Sequence, residues 1–139
     1  MSRDSLGFLL AKASQRWNER LAERFRAAGY PEVRPSFGSV LVPLLEEDGL
    51  RMGELAARAR LSKQAMTTVV RSVVDAGLVV REPDPDDRRA SRVRLTARGH
   101  AFRPVAEQVL LELDDRVRES LGDVELDRLA NALRKVVEL

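Results

Sequence analysis

Residues 61–78 carry the side chains best suited to specific chemistry. Their hydrogen-bonding and cationic members recur at helical spacing on one side, and they are Ser62, Lys63, Gln64, Thr67, Thr68 and Arg71. Hydroxyl, amide and guanidinium groups on one helix face match the donors and acceptors that base edges present in a DNA major groove. Gln64 can bond bidentately to adenine and Arg71 to guanine, while Thr67 can contact a thymine methyl group. The segment therefore predicts a helix that reads DNA.

The opposite side of the same segment is apolar. Its members stand at i, i+3, i+4, i+7 and i+8, and they are Met66, Val69, Val70, Val73 and Val74. That spacing forms one apolar stripe, which predicts burial against a core. Ser62 is placed to cap the helix and Gly77 to end it. An ordinary solvated surface helix would have the same two faces, so this pattern alone leaves both readings open.

Two strand-like runs follow the helix. Residues 78–82 and 91–95 flank residues 83–90, whose prolines and aspartates favour turns and cannot continue a strand ladder. In the second run Val93 and Leu95 alternate with arginines, which is the period of a strand covered on one face. These runs predict a two-stranded wing with arginines at its tip.

Residues 53–61 form a shorter helical pattern that precedes the predicted DNA-reading helix. Its small alanines allow close helix packing. Residues 60–62 then form the turn between the two helices. Leu50 and Arg51 are expected to add a small third strand against the wing. The order of these elements predicts a winged helix-turn-helix.

Long amphipathic patterns lie on both sides of this core. Residues 5–29 repeat apolar side chains at threes and fours, and so do residues 97–120 and the segment after Gly122. A long helix with a narrow apolar seam needs something to cover it. The rest of the same chain and a second copy of the chain are both candidates.

The charge is unevenly distributed. The net charge is only +2, but residues 51–103 hold eleven arginines and one lysine against six acidic residues, which gives +6 and leaves −4 for the remainder. A basic middle in a chain that is net acidic elsewhere is the electrostatic footprint of a DNA-contacting module set in a differently used scaffold. By itself, a basic patch in an arginine-rich protein is only weak evidence.

Composition excludes several other classes of function. The chain has no cysteine, so disulfides, thiolate metal sites and thiol redox chemistry are excluded. A single histidine, His100, cannot form a zinc site alone, and no catalytic triad order or phosphate-binding loop is present. We therefore expect neither an enzyme nor a cofactor. No apolar run is long enough for a membrane span, and we expect a cytoplasmic protein.

Residues 54–99 resemble the DNA-binding core of the MarR family of bacterial transcriptional regulators. The motifs E-L-A, a Ser-led helix, G-L-V, D-P-x-D-x-R and L-T-x-x-G occur in that order. The resemblance implies a mainly α fold with a small β wing and with terminal helices that pair two copies. It predicts one domain, residues 1–139, in which about 34–98 form the DNA-binding lobe and about 5–29 and 99–139 the dimerisation lobe.

The resemblance also assigns roles in the wing. Asp87 and Arg89 occupy the family's D-x-R, so Arg89 would enter the minor groove and Asp87 would hold either that guanidinium or the wing turn. Arg88 is a further DNA-binding candidate, and Arg92 and Arg94 are expected to contact phosphates or support the wing. A surface ion pair that merely stiffens the hairpin is the alternative. Arg51 departs from the family, which often has Ser or Thr as a helix cap there.

Members of the family often bind a small aromatic or phenolic ligand between the lobes. Here the candidates for lining such a crevice are Trp17, Tyr30, Arg34, Phe37 and Phe102. Ordinary core packing is the alternative for these residues. The sequence thus predicts a repressor that binds a pseudo-palindromic DNA operator as a homodimer and is released by a ligand. A winged-helix module for protein interaction or nonspecific DNA binding is the competing function.

Overall fold

The fold is mainly helical with a small three-stranded sheet, as the sequence predicted. The computed structural model describes residues 2–139. Its elements in chain order are α1 (Leu6–Ala27), a 3₁₀ turn (Pro35–Phe37), α2 (Gly38–Glu46), β1 (Leu50–Arg51), α3 (Met52–Ala59), α4 (Lys63–Asp75), β2 (Val79–Pro83), β3 (Ser91–Leu95), α5 (Ala97–Leu121) and α6 (Asp123–Val137). Residues 35–37 form the 3₁₀ turn, and α2 follows it directly and runs through Pro43.

The sheet confirms both the wing and the expected third strand. Its strand order is β1-β3-β2, and both pairings are antiparallel. Leu50 is paired with Val93, and Val79 is paired with Leu95. Because side chains alternate along a strand, Val93 and Leu95 face the core while Arg94 between them is exposed.

The core of the winged helix-turn-helix lies beneath α4. Met66, Val70 and Val73 are buried there, and Val69 is partly buried, as the apolar stripe predicted. The prediction was wrong for Val74, which is 37% exposed. At 3.6 residues per turn, position 74 lies about 80° around the helix from position 66, beyond the edge of the buried stripe.

Two hydroxyl caps fix where α4 and α5 begin. Ser62 Oγ accepts a hydrogen bond from the Ala65 N–H at 3.1 Å, as predicted for the reading helix. Thr96 Oγ1 accepts from the Gly99 N–H at 3.0 Å and donates to the Gly77 carbonyl at 2.6 Å. A Cβ atom on Gly99 would lie 2.1 Å from the Leu78 carbonyl oxygen, so this position requires glycine. The start of α5 is thereby joined to the end of α4.

The terminal helices leave much apolar surface uncovered. In α1 only Leu21 and Phe25 are buried, and α6 has no buried residue. Phe25 packs edge-on against Phe102 of α5 with ring centroids 5.1 Å apart. An open groove of about 1070 Å³ runs between α1, α5 and α6. Within residues 2–139, no helix combines the length and hydrophobicity needed to cross a membrane.

Candidate nucleic-acid interface

The predicted reading face is a continuous exposed surface on α4. Ser62, Lys63, Gln64, Thr68 and Arg71 are exposed, and Thr67 is half-buried. The side chains of Lys63, Gln64 and Arg71 form no hydrogen bond or ion pair with another residue in the described part of the chain. Their donors and acceptors are therefore available to an external partner. The apolar side of the helix holds this face in place through Met66, Val70 and Val73.

The two threonines on this face are already partly engaged. Thr67 Oγ1 donates to the Lys63 carbonyl at 2.8 Å, and Thr68 Oγ1 donates to the Gln64 carbonyl at 3.1 Å. With its proton used inside the helix, each hydroxyl can act toward a ligand only as an acceptor, while its methyl group can make apolar contacts.

At the wing tip, Asp87 holds the backbone of the turn. Its Oδ1 accepts a hydrogen bond from the Arg89 N–H at 2.9 Å, and its carbonyl accepts from the Ala90 N–H at 3.0 Å. Of the two roles considered for Asp87, the structure shows the turn contact. Arg88 and Arg89 are exposed, and across residues 2–139 neither guanidinium has an ion-pair partner. Both cations are free to reach outward.

Arg92 and Arg94 act as wing supports in this structure. Arg94 Nε lies 2.9 Å from Glu82 Oε2, which links β3 to β2. Arg92 Nη1 donates to the Gly49 carbonyl at 2.9 Å, which links β3 to the segment before β1. These contacts engage the two guanidinium groups within the lobe.

Asp84, at the base of the wing, holds the wing in position through its side-chain contacts. The sequence alone predicted only that it lies in a turn. Its side chain is buried, with Oδ2 2.6 Å from Arg51 Nε and 3.2 Å from Arg92 Nε. Its Oδ1 accepts from the Asp86 N–H at 2.8 Å. Arg51 is the residue that departs from the family's small cap, and its own N–H donates to Glu54 at 3.2 Å. That departure was the available signal that position 51 has another function.

The charge on Asp84 is favoured by this environment. The hydrogen bond from the Asp86 N–H lowers the pKa of the Asp84 carboxyl most, burial raises it, and the positive charges of Arg51 and Arg92 lower it further. The net direction is downward from the ordinary value. A depressed carboxyl pKa contributes stability above the pKa of the unfolded chain, and this is lost as pH falls through the folded-state pKa. The wing base is therefore fully charged at neutral pH.

Replacing Asp84 with asparagine should loosen the wing. An amide cannot compensate two guanidinium groups, so we expect a lower melting temperature and about tenfold weaker DNA binding as the wing contact weakens. The loss of melting temperature should shrink as pH falls below the ordinary aspartate pKa of 3.8, because the unfolded parent chain then binds a proton that the folded protein resists. Thermal melts from pH 3 to 7 and DNA titrations measure these effects. Asp86→Asn, on the same turn but exposed, is the control, and equal effects of the two changes would refute the assignment.

The five candidate ligand residues do not form one surface. Phe37 and Phe102 are only 2% and 3% exposed. Both side chains therefore pack in the core, which was the alternative to lining a crevice. Tyr30 packs edge-on against Phe102 at 4.8 Å, with the Arg98 guanidinium 4.6 Å from the centre of its ring. Trp17 lines the groove between α1, α5 and α6, and Arg34 is exposed. Of the five residues, Tyr30 and Phe102 are in direct aromatic contact.

A separate cleft lies between α1 and α5. Its volume is about 520 Å³, and its walls combine apolar side chains such as Val105 and Val109 with polar ones. Arg24 Nη1 lies 2.5 Å from Glu112 Oε2 at this cleft, and Gln108 Nε2 donates to Glu112 Oε1 at 3.1 Å. None of the five predicted ligand residues lines it.

These features define the protein class. A winged helix-turn-helix with an unpaired polar face on its second helix and free arginines at its wing tip is built as a DNA-binding regulator. Residues 39–90 match the model of the MarR family. A transcriptional regulator of Mycobacterium leprae, ML2140, is 35% identical over 117 residues, which cover 84% of this chain and 80% of that protein. The chain belongs to the MarR family of transcriptional regulators.

Two further similarities concern about half of the chain and the whole fold. The HTH-type transcriptional repressor Rv2887 of Mycobacterium tuberculosis is 42% identical over 74 residues, which are 53% of each chain. The match thus spans about half the length of that relative. The structure of the transcriptional repressor CouR, bound to a 23-mer DNA duplex, superposes with a TM-score of 0.84 and 25% identity over 99% of this chain and 98% of CouR.

Proposed function

We propose that this protein is a transcriptional repressor that binds a pseudo-palindromic operator as a homodimer and is released by a small aromatic or phenolic ligand. The observation that carries the proposal is the set of unpaired donors on α4 and at the wing tip, namely those of Lys63, Gln64, Arg71, Arg88 and Arg89. Acting on chromosomal DNA, it would work in the cytoplasm. Catalysis has no part in this function.

In the proposed complex, α4 lies in the major groove. Gln64 and Arg71 read bases there, and Ser62 and Lys63 at the start of the helix contact base edges or the adjoining phosphates. Thr67 and Thr68 offer methyl groups and acceptor oxygens. Arg89 enters the minor groove, where a narrow A/T-rich segment concentrates negative potential. Arg88 contacts phosphate, and Asp87 keeps the turn that presents both arginines.

Pairing of two copies is supported by the uncovered terminal helices. The groove between α1, α5 and α6 is lined mainly by apolar side chains, and several of the most exposed are Leu6, Leu9, Leu121, Leu129, Leu133 and Val136. Contiguous apolar surface of this kind is unusual on a monomer and typical of an interface. A two-fold pair buries the same surface on both copies and presents two reading helices on one side.

Release by a ligand is supported by two arrangements of polar and apolar side chains. The cleft between α1 and α5 has a volume suited to a small molecule and places Arg24 beside apolar walls. Tyr30 and Arg98 form a separate aromatic and cationic pair. Arg24 is already paired with Glu112 and Arg98 with Glu32, so a neutral phenolic compound suits either arrangement better than a carboxylated one. Trp17 and Arg34 would join such a site only through the partner copy or a rearrangement.

Selection of bound DNA from a random duplex pool tests the function. We expect an inverted repeat with half-site centres about 10 bp apart, or one helical turn, and an affinity that falls steeply with salt. Repeating the titration with candidate aromatic and phenolic compounds tests release. An enriched site without two-fold symmetry would contradict the dimeric reading. A pool that shows no enrichment would instead support the alternative of a protein-interaction or nonspecific DNA-binding module.

A further inference from the structure

Three helices of this protein end with the same hydrogen-bond arrangement. At the end of α1 the Tyr30 N–H donates to the Phe25 carbonyl at 2.8 Å, and at the end of α4 the Leu78 N–H donates to the Val73 carbonyl at 3.2 Å. In this arrangement the residue before the donor adopts a left-handed backbone conformation, and glycine is the usual choice. Glycine occupies that position in both cases.

The third case, at the end of α3, uses arginine instead. The Leu61 N–H donates to the Ala56 carbonyl at 3.0 Å, and the Arg60 N–H donates to the Ala57 carbonyl at 3.2 Å. Arg60 has φ 55° and ψ 40°, and over residues 2–139 it is the only residue other than glycine with a positive φ. A side chain with a Cβ atom is disfavoured in this conformation. The chain therefore keeps an arginine where its own pattern elsewhere favours glycine.

Nothing within the protein explains the arginine. Arg60 is exposed, and in the described structure its guanidinium makes no hydrogen bond or ion pair. Arg58, on the preceding turn of α3, behaves differently, because its Nη2 lies 2.7 Å from Glu47 Oε2. A strained residue whose side chain has no internal partner points to a function outside the protein.

The position of Arg60 indicates what that partner is. It lies two residues before Ser62, the N-cap of α4. In helix-turn-helix proteins the N-terminal part of the second helix contacts base edges, so the turn before it passes beside the rim of the groove, where the phosphates lie. We propose that Arg60 is a phosphate-contacting residue that anchors the turn between α3 and α4 to the DNA backbone. This inference rests on the proposed DNA-binding function.

Two substitutions separate the charge of Arg60 from its backbone strain. Arg60→Gly removes both, so its melting temperature should rise by about 2 to 5 °C while its DNA affinity falls. Arg60→Ala removes the charge but keeps a Cβ atom, so its affinity should fall equally without that gain in stability. For a dimer, the loss should be about tenfold, and the slope of log affinity against log salt should fall by about one per protomer. Arg58→Ala is the control for loss of an arginine on α3.

The titrations use a duplex selected from a random pool by the parent protein and a scrambled duplex of the same length and composition. A phosphate contact carries no sequence information, so both duplexes should lose affinity by the same factor. A loss confined to the selected duplex would overturn the proposal, because it would indicate base reading. Parent-like affinity and salt slope in both variants would also overturn it and leave the proposed function intact. Failure of the parent protein to bind either duplex would instead refute the proposed function itself.

Discussion

Replacing Arg71 with alanine is expected to remove most of the preference for the operator over scrambled DNA. A bidentate contact between arginine and guanine discriminates by about 1 to 3 kcal/mol, and a two-fold dimer makes it twice. The expected loss is therefore about 2 to 6 kcal/mol, or between roughly 30-fold and more than 10,000-fold in the affinity ratio. Parallel titrations of the selected and scrambled duplexes measure that ratio.

Arg71→Lys provides the matched control for charge. Lysine keeps the positive charge but lacks the planar fork of the guanidinium, so it should bind scrambled DNA almost as the parent does while discriminating less well. The stability of both variants should be close to that of the parent, because Arg71 is exposed and has no internal partner among the described residues. If the alanine variant kept the parent's affinity ratio, α4 would not be reading bases through Arg71.

Introducing Leu129→Glu together with Leu133→Glu is expected to convert the proposed dimer to monomers. Both side chains line the groove between α1, α5 and α6, and burying four carboxylates in a paired interface would cost far more than the apolar contacts contribute. A monomer binds one half-site at a time, so operator affinity should fall by about a thousandfold or more. Sedimentation at micromolar concentration and DNA titration report the two effects.

The control for added charge is Val42→Glu. Val42 is a large exposed apolar residue on α2, outside the groove, and its replacement should leave both the assembly and the DNA affinity unchanged. Circular dichroism establishes that each variant keeps its helices. A doubly substituted protein that remained dimeric would show that the copies pair through another surface.

Local patterns explain why so much of the DNA-binding lobe was predictable. The two faces of α4 follow from the helical period, and the cap at Ser62 follows from hydroxyl chemistry next to an apolar run. Neither feature depends on distant contacts. The misplacement of Val74 has the same origin, since a sequence period marks a stripe but does not give its width.

The features that escaped prediction depend on contacts between distant segments. Asp84 meets Arg51 and Arg92 only because β3 pairs with both other strands and brings three separate segments to the base of the wing. The placement of the aromatic candidates was not predictable for a related reason. Phe37 and Phe102 could equally line a crevice or fill a core, and only the packing of α1, α2 and α5 decides between them. The spacing of residues in the sequence shows neither the partners of Asp84 nor which of these two roles Phe37 and Phe102 have.

Helix α5 links the wing to the far end of the chain without interruption. It has 25 residues, which corresponds to a helix about 37 Å long, and one end follows β3 directly while the other meets α6. A change of about 5° in its inclination displaces the opposite end by about 3 Å, close to the rise of one base pair. In the proposed dimer, the crossing angle of the two copies of α5 therefore sets the distance between half-sites that the protein can bridge.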